Sequence, residues 1–239
     1  MDARRPPADL NADPLAVLSD AARNWGAPLD AAAQARIKSY LEDVRAKNAT
    51  TNLTADGDWK DLVLKHAADG VLAAAVLRPL LRARALTAKP RILDLGAGGG
   101  FIGICLKIAW PEAEVSLMEA VERKYRFLNA ATAKLGLAGL RPLLRRAGEG
   151  PTRSAYEMGF DAVVERALAP LPQAAALAFP LLAPHGLFAA FQTQEPDPKE
   201  TALARALAVT GGRVLQSHSY IRPGESHQRR LVIFNRGED

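Results

Sequence analysis

The feature that most constrains this chain is a short apolar strand pattern that runs directly into a glycine cluster. Residues 91–95 read Arg-Ile-Leu-Asp-Leu, and residues 96–100 read Gly-Ala-Gly-Gly-Gly. A helical pattern follows from Ile102 to Trp110 and stops at Pro111. Glycines after a strand permit positive φ and let a ligand approach the backbone closely. The next helix would point its N-terminal amides at the same place. The sequence therefore predicts a ligand site at the carboxyl edge of a sheet.

Strand and helix patterns alternate over the rest of the chain, which predicts a doubly wound α/β fold. The predicted strands cover residues 92–95, 114–119, 140–144, 160–164, 186–191, 214–220 and 230–234. The last two are joined by the turn sequence Pro223-Gly224-Glu225 and not by a helix. We therefore expect a mostly parallel seven-stranded sheet with a C-terminal antiparallel strand.

The chain divides into three parts by pattern. Residues 1–13 are polar and predict a flexible N-terminal arm, residues 14–88 predict a helical N-terminal extension, and residues 89–239 predict the α/β core. Within the extension, a polar stretch rich in Asn, Thr and Gly predicts a loop over residues 48–58, followed by a helix over residues 58–81.

Composition excludes several classes of protein. The single Cys105 excludes a disulfide framework and a Cys-rich zinc module, and we expect no metal. The chain has no apolar run of the about 18 residues that a membrane helix needs, and its first residues lack a signal peptide's apolar segment. We expect a cytoplasmic protein with no membrane partner. The net charge of +5 is compatible with a polyanionic partner.

Glu119 ends the second strand, 23 residues after Gly96. A carboxylate there can accept hydrogen bonds from both ribose hydroxyls, which predicts a cofactor that contains a nucleoside. Residues 98–103 match the dinucleotide pattern G-x-G-x-x-G only weakly. Residues 93–100 instead resemble the first motif of the Rossmann-like class I S-adenosylmethionine-dependent methyltransferases. That resemblance implies S-adenosyl-L-methionine as the cofactor, with its methionine end against the glycine loop: Gly96, Gly98, Gly100 and Phe101.

Further motifs narrow the resemblance. The chain is similar to the rRNA small-subunit methyltransferase G family, also called glucose-inhibited division protein B, over about residues 37–236. The matching segments are Asn52-Leu53-Thr54-Ala55, Lys65-His66-Ala67-Ala68-Asp69, Gly96 to Cys105, Arg123 to Leu128, Arg146-Ala147-Gly148-Glu149, Glu165-Arg166-Ala167 and Pro223-Gly224-Glu225 with Arg229 to Ile233. These segments occur in the family's order.

The resemblance implies roles for residues at the matched positions. The implied catalytic residues are Arg166, His66 and Asn52, with Asp69 beside them. The Ala147-Gly148 backbone would meet the adenine, and Arg166 would also hold the cofactor carboxylate or an RNA phosphate. Phosphate contacts to RNA are expected from Arg123, Lys124, Arg126, Arg146 and Arg229.

The resemblance further implies methylation of a guanine at ring position 7 in small-subunit (16S) ribosomal RNA. That nitrogen carries no proton and has an in-plane lone pair, so no general base is needed. The partner would be ribosomal RNA or the small subunit, and the family favours a monomer. The chain departs from the family's motifs at Ile102, Cys105, Gly148 and Phe191-Gln192. Two alternatives stay open: a methyltransferase for another RNA or a small molecule, and a non-catalytic protein that binds S-adenosylmethionine or the ribosome.

Overall fold

A computed structural model describes residues 13–84, 89–149 and 159–236. The helices are α1 (Pro14–Trp25), α2 (Ala31–Thr51), α3 (Trp59–Asp61), a π-helical turn (Leu62–Ala67), α4 (Ala68–Ala83), α5 (Phe101–Ala109), α6 (Glu122–Leu135), α7 (Leu171–Ala178), a 3-10 turn (Phe179–Leu181) and α8 (Thr201–Thr210). The strands are β1 (Arg91–Leu95), β2 (Glu114–Glu119), β3 (Leu140–Leu144), β4 (Phe160–Arg166), β5 (Leu182–Gln192), β6 (Gly212–Tyr220) and β7 (Arg229–Arg236). Apart from Asp13, the predicted N-terminal arm lies outside the described residues.

The strands form one seven-stranded sheet in the order β3-β2-β1-β4-β5-β7-β6. Strands β1 to β5 pair in parallel, and β7 pairs antiparallel with both β5 and β6. The predicted sheet and its antiparallel C-terminal strand are thus confirmed. The chain leaves β1 toward β2 and returns to place β4 on the other side of β1. Ligands of such sheets bind at this switch point, outside the carboxyl ends of the strands.

Alternate residues of the central strands face two separate apolar layers. Ile92 and Val164 lie in the layer that contains α1, α2, α4, α5 and α6. Leu93 and Val163 lie in the layer that contains α7 and α8. All four side chains are fully buried, so the strand ends that carry the site are fixed by packing on both faces.

Helix α2 includes the first four residues of the predicted loop, 48–51. The prediction of a loop from Asn48 was wrong because the side chain of Asn48 caps the following turn from within the helix. Its Oδ1 accepts hydrogen bonds from the backbone amides of Leu53 and Thr54, at 2.9 and 3.0 Å. The helix ends at Asn52, whose φ of 56° lies in the left-handed region that asparagine tolerates.

The predicted helix over residues 58–81 exists but is not a uniform α-helix. It begins as α3, passes through the π-helical turn and continues as α4 to Ala83. The π-helical turn carries Lys65 and His66. Such turns are rare and occur frequently at functional sites. In the described ranges 13–84, 89–149 and 159–236, we find no helix that combines the length and the apolar character needed to cross a bilayer.

Candidate active site

The glycine loop between β1 and α5 has the geometry that its sequence predicts. Gly96, Gly98 and Gly100 have φ angles of 74°, 59° and 88°. A Cβ at Gly100 would lie 2.7 Å from the side chains of Ile104 and Leu128, so a larger residue cannot replace it without displacement of packed groups. A Cβ at Gly98 would approach only the carbonyl oxygen of Gly96, at 3.9 Å. The loop therefore offers open backbone at Gly98.

Two carboxylates hold this loop from beneath. Asp94 accepts a hydrogen bond from the amide of Gly103 at 2.8 Å, and burial raises the pKa of Asp94 to about 7. Glu119 accepts hydrogen bonds from the amide of Gly98 at 2.8 Å and from that of Val121 at 2.7 Å. Each Glu119 oxygen uses one lone pair in this way and keeps another. The carboxylate is thus fixed at the end of β2 and fits the pair of hydroxyls of a ribose.

The apolar wall beside the loop comes from two segments. Ala147 and Leu168 both pack against the apolar layer of α7 and α8. A Cβ at Gly96 would lie 2.5 Å from Cδ1 of Leu168, so Leu168 sits directly against the glycine loop. Gly148 has a φ of 80°, a left-handed angle that favours glycine. Apolar contacts beside the Glu119 carboxylate suit an adenine ring.

A buried acid at the end of β4 supports this wall. Glu165 is fully buried, and its Oε2 accepts a hydrogen bond from the amide of Leu168 at 3.2 Å. Its Oε1 makes no hydrogen bond to any described residue. Burial raises the pKa of Glu165 to about 7. The chain turns at Ala167, between Arg166 and Leu168, with a φ of 58°, an unusual angle for alanine.

His66, in the π-helical turn, packs against Phe101, the first residue of α5. It stacks on Phe101 with ring centroids 4.3 Å apart and planes inclined by 27°. Its Nδ1 lies 2.6 Å from Nη2 of Arg166, a guanidinium nitrogen that can only donate. Nδ1 is therefore the acceptor and Nε2 carries the proton, directed at Thr54 and Asp56 at 3.1 and 3.3 Å. Burial and the charge of Arg166 lower the pKa of His66 to about 4, so the ring is neutral near pH 7.

Asp69 is the fully buried centre of a charged network. Its Oδ2 accepts from Arg166 at 2.8 Å and also from Nη2 of Arg222, while its Oδ1 accepts from Nε of Arg222 at 2.9 Å. The hydroxyl of Tyr220 donates to Oδ1 at 2.9 Å. Burial alone would raise the pKa of Asp69, but hydrogen bonds and positive charge from Arg222 and Arg166 outweigh burial and hold this pKa below its usual value.

Asp69 thereby connects three parts of the chain that are distant in sequence: the N-terminal extension, the end of β4, and the segment between β6 and β7. The last of these is fixed by Glu225, which lies 3.4 Å from Nη1 of Arg222 and 2.8 Å from Nε of Arg229. This network orients Arg166 toward the glycine loop, with its guanidinium carbon 6.0 Å from the ring centre of Phe101.

The structure brings together most of the predicted cofactor and catalytic positions. His66, Arg166 and Phe101 touch one another, and Glu119 meets the glycine loop. Asn52 does not join them through its side chain in the contacts of the described residues. It is exposed and shapes the turn that carries Thr54 to His66.

The predicted RNA-contacting residues differ in exposure and in ion pairing. Arg126 and Arg146 are exposed and pair with Glu122 and Glu149 on their own segments. Arg229 is mostly buried and committed to Glu225. Arg123 and Lys124, by contrast, make no ion pair with any residue in the described part of the chain.

Comparison with known proteins then identifies the family. The model of the family described as rRNA small subunit methyltransferase G matches residues 33–232. The chain belongs to this family. A relative of that name from Geobacter sp. is 31% identical over 92% of this chain and 96% of its own length. Another, from Deinococcus radiodurans, is 32% identical over 81% of this chain and 74% of its own length.

Solved structures confirm the fold. Magnesium protoporphyrin IX methyltransferase from Synechocystis, a structure with bound S-adenosylmethionine, superposes with a TM-score of 0.54 at 16% identity. The superposition covers 83% of this chain and 97% of that one. The predicted family and the Rossmann-like methyltransferase fold are therefore confirmed.

Four residues of the site escaped the sequence analysis. Tyr220 and Arg222 lie just before the Pro223-Gly224-Glu225 turn. The turn motif indicated a loop there but not that these two side chains bind Asp69. Asn48 supports the Thr54 turn from within a helix, and no local pattern distinguishes it. Glu165 was noticed only as part of a motif, although an acid beside buried valines in a central strand is itself a signal of function.

Proposed function

We propose that this chain transfers a methyl group from S-adenosylmethionine to N7 of a guanine in the RNA of the small ribosomal subunit. The family relation supports methylation of ribosomal RNA, and the chemistry of the site supports a nitrogen that carries no proton. When bound, the cofactor would supply an electrophilic methyl group on a sulfonium sulfur. The N7 lone pair would form the new bond to carbon as the carbon–sulfur bond breaks, so a neutral thioether would leave and the guanine ring would take the positive charge. The chain must then hold the base close, aligned and free of water.

The proposed cofactor contacts follow from the loop geometry. Gly96, Gly98 and Gly100 present backbone to the methionine end, and Glu119 accepts hydrogen bonds from the ribose. Ala147 and Gly148 bound the adenine. These assignments are supported by the spare lone pairs of Glu119 and by the open backbone at Gly98.

The state of His66 is the observation that carries the proposed mechanism. A general base needs a free lone pair directed at the substrate. The Nδ1 lone pair of His66 is occupied by Arg166, and its other nitrogen donates toward Thr54 and Asp56. His66 therefore cannot remove a proton from the substrate in this arrangement. A target such as guanine N7, which loses no proton, is compatible with such a site.

Arg166 and His66 are then positioning groups at the mouth of the cofactor site. The guanidinium of Arg166 bonds to both Asp69 and His66, and the ring of His66 stacks on Phe101. These contacts make the rim of the site rigid. A rigid rim of this kind excludes water and fixes the plane of an incoming base.

The test is transfer of labelled methyl from S-adenosylmethionine to small subunits from a strain that lacks the endogenous activity, followed by nucleoside analysis. We expect labelled 7-methylguanosine, a loss of at least about 100-fold in Arg166→Ala, and no change in Arg205→Ala on the opposite face of the sheet. Label in another nucleoside would refute the N7 assignment. No label, with cofactor binding intact by calorimetry, would instead favour a non-catalytic binding protein.

A further inference from the structure

A groove between α2 and α6 lies outside the site described above. It has a volume of about 380 Å³ and is lined by an apolar floor that includes Ala46, Phe127 and Ala130. Four cations surround this floor: Lys47 from α2, and Arg123, Arg126 and Lys134 from α6. Apolar walls with a few charged groups at the rim are typical of sites for small ligands or parts of larger ones.

The groove leads toward the cofactor site. Lys134, near the end of α6, donates to both oxygens of Asp43 at 2.8 Å. Thr51, at the end of α2, lines the same groove as Arg123, near the start of α6, so the two helices run antiparallel. Val121 precedes α6 and donates to Glu119 at 2.7 Å. The end of the groove at Arg123 therefore adjoins the ribose-binding acid.

The positive charge of the groove is unevenly compensated. Lys134 is paired with Asp43, and Arg126 is paired with Glu122 at the outer surface. Lys47 and Arg123 are exposed and make no ion pair with any residue among 13–84, 89–149 and 159–236. The uncompensated charge is thus concentrated at Lys47 and Arg123, and Arg123 lies at the end nearer the cofactor.

We propose that this groove binds the single-stranded RNA that flanks the target nucleotide, with phosphates at Lys47 and Arg123 and a base or sugar over the apolar floor. This inference rests on the proposed function. A base must leave its stack to enter a methyltransferase site, which costs least when the base already lies in a single strand. Cations spaced along an apolar groove suit such a strand, because each phosphate needs a charge and each base a non-polar surface.

Binding of a fluorescent single-stranded oligouridine, measured over a range of salt concentrations, tests the groove directly. In the double variant Lys47→Ala/Arg123→Ala we expect affinity to fall about tenfold and the slope of log affinity against log salt to become shallower by about 1.4, because two phosphate contacts are lost. Arg205→Ala, an exposed cation on α8, is the matched control and should leave the slope unchanged.

Methyl transfer to small subunits gives a second measurement. The double variant should raise KM for the subunit with kcat almost unchanged, and its affinity for S-adenosylmethionine by calorimetry should equal that of the wild type. If the double variant and Arg205→Ala have the same RNA affinity, salt dependence and KM, the proposed role of the groove is refuted, even if the wild type forms 7-methylguanosine. Loss of cofactor affinity would also overturn it, because the groove would then belong to the cofactor site.

Further outcomes separate the groove from the proposed function. If the wild type transfers no methyl group but binds oligouridine through Lys47 and Arg123, the proposed function is refuted and the proposed RNA-binding role of the groove stands. Equal losses for duplex and single-stranded RNA would refute the single-stranded occupant. If the double variant fails to fold, Ala130→Glu places a carboxylate in the groove at an exposed helical position and should weaken binding to a similar extent, whereas Ala138→Glu outside the groove should not.

Discussion

Replacement of Asp69 by asparagine would remove the charge at the centre of the buried network without a change in side-chain volume. Asp69 is fully buried and accepts hydrogen bonds from Arg166, Arg222 and Tyr220. An asparagine keeps one acceptor oxygen, but its amide group would face a guanidinium donor. Two positive side chains would then share a buried site with their common counter-ion lost.

The structure sets the size of the effect. Removal of one partner from a buried ion pair costs about 3–5 kcal/mol. The side chains of Arg166 and Arg222 are 17% and 10% exposed, so water screens them little. Arg222 retains Glu225 as a second acid at 3.4 Å, which offsets part of the loss. We therefore expect Asp69→Asn to lower the free energy of unfolding by about 3 kcal/mol, at the low end of that range.

Urea unfolding followed by circular dichroism measures this quantity, with Tyr220→Phe as the matched control. The control removes one hydrogen bond to Asp69 and leaves every charge, so it should cost about 1.5 kcal/mol. An Asp69→Asn variant no less stable than Tyr220→Phe would refute the reasoning, because the lost charge would then carry no energy of its own.

The pH dependence of stability provides a further check with a definite sign. The folded protein holds the pKa of Asp69 below its ordinary value, so the carboxylate stabilises the fold above the unfolded pKa of about 3.9. That stabilisation is lost as the pH falls through the lower folded pKa. The difference between wild type and Asp69→Asn should thus be constant near neutrality and shrink in acid.

Three other predictions concern the cofactor site. Gly103→Ala should lower the thermal midpoint by several degrees, since a Cβ there would lie 2.3 Å from Leu117 and 2.9 Å from Asp94. Glu119→Gln should weaken S-adenosylmethionine binding by at least about tenfold in calorimetry, because a charged acceptor at the ribose is lost. The pH profile of methyl transfer should show no ionisation of His66 between about pH 5.5 and 8, since its pKa is lowered to about 4.

Each of these has a clear contrary result. A Gly103→Ala protein as stable as the wild type would show that Leu117 and Asp94 yield easily. Unchanged cofactor affinity in Glu119→Gln would remove this acid from the ribose site. A rise in rate with an apparent pKa between about 6 and 7, abolished in His66→Ala, would restore His66 as a base.

The sequence predicted the centre of the sheet well because β1, β2 and β4 are buried on both faces over most of their length. The pattern at residues 91–95, followed by glycines, permits few structures other than a strand and a tight turn, and both were found. Glu119 lies at the glycine loop because one strand–helix–strand unit separates it from Gly96, and its role toward a ribose stays a prediction. These are local relations, which spacing along the chain encodes.

The charged network could not be predicted from spacing. Arg222 reaches Asp69 across 153 residues of sequence, and only the packing of the last strands against the N-terminal helices brings them together. The start of the loop after α2 was misplaced for a related reason. Asparagine usually favours turns, but Asn48 lies in the last turn of α2, and its side chain accepts a hydrogen bond from the turn that follows.

The order of the strands also determines when the network around Asp69 can form during synthesis. Strand β7 follows β6 along the chain yet lies between β5 and β6, so both earlier strands keep an unpaired edge until β7 has been made. Arg222, the partner of Asp69, lies in the segment between β6 and β7. A nascent chain that does not yet include this segment therefore lacks the contacts that hold Asp69 and Arg166 in place.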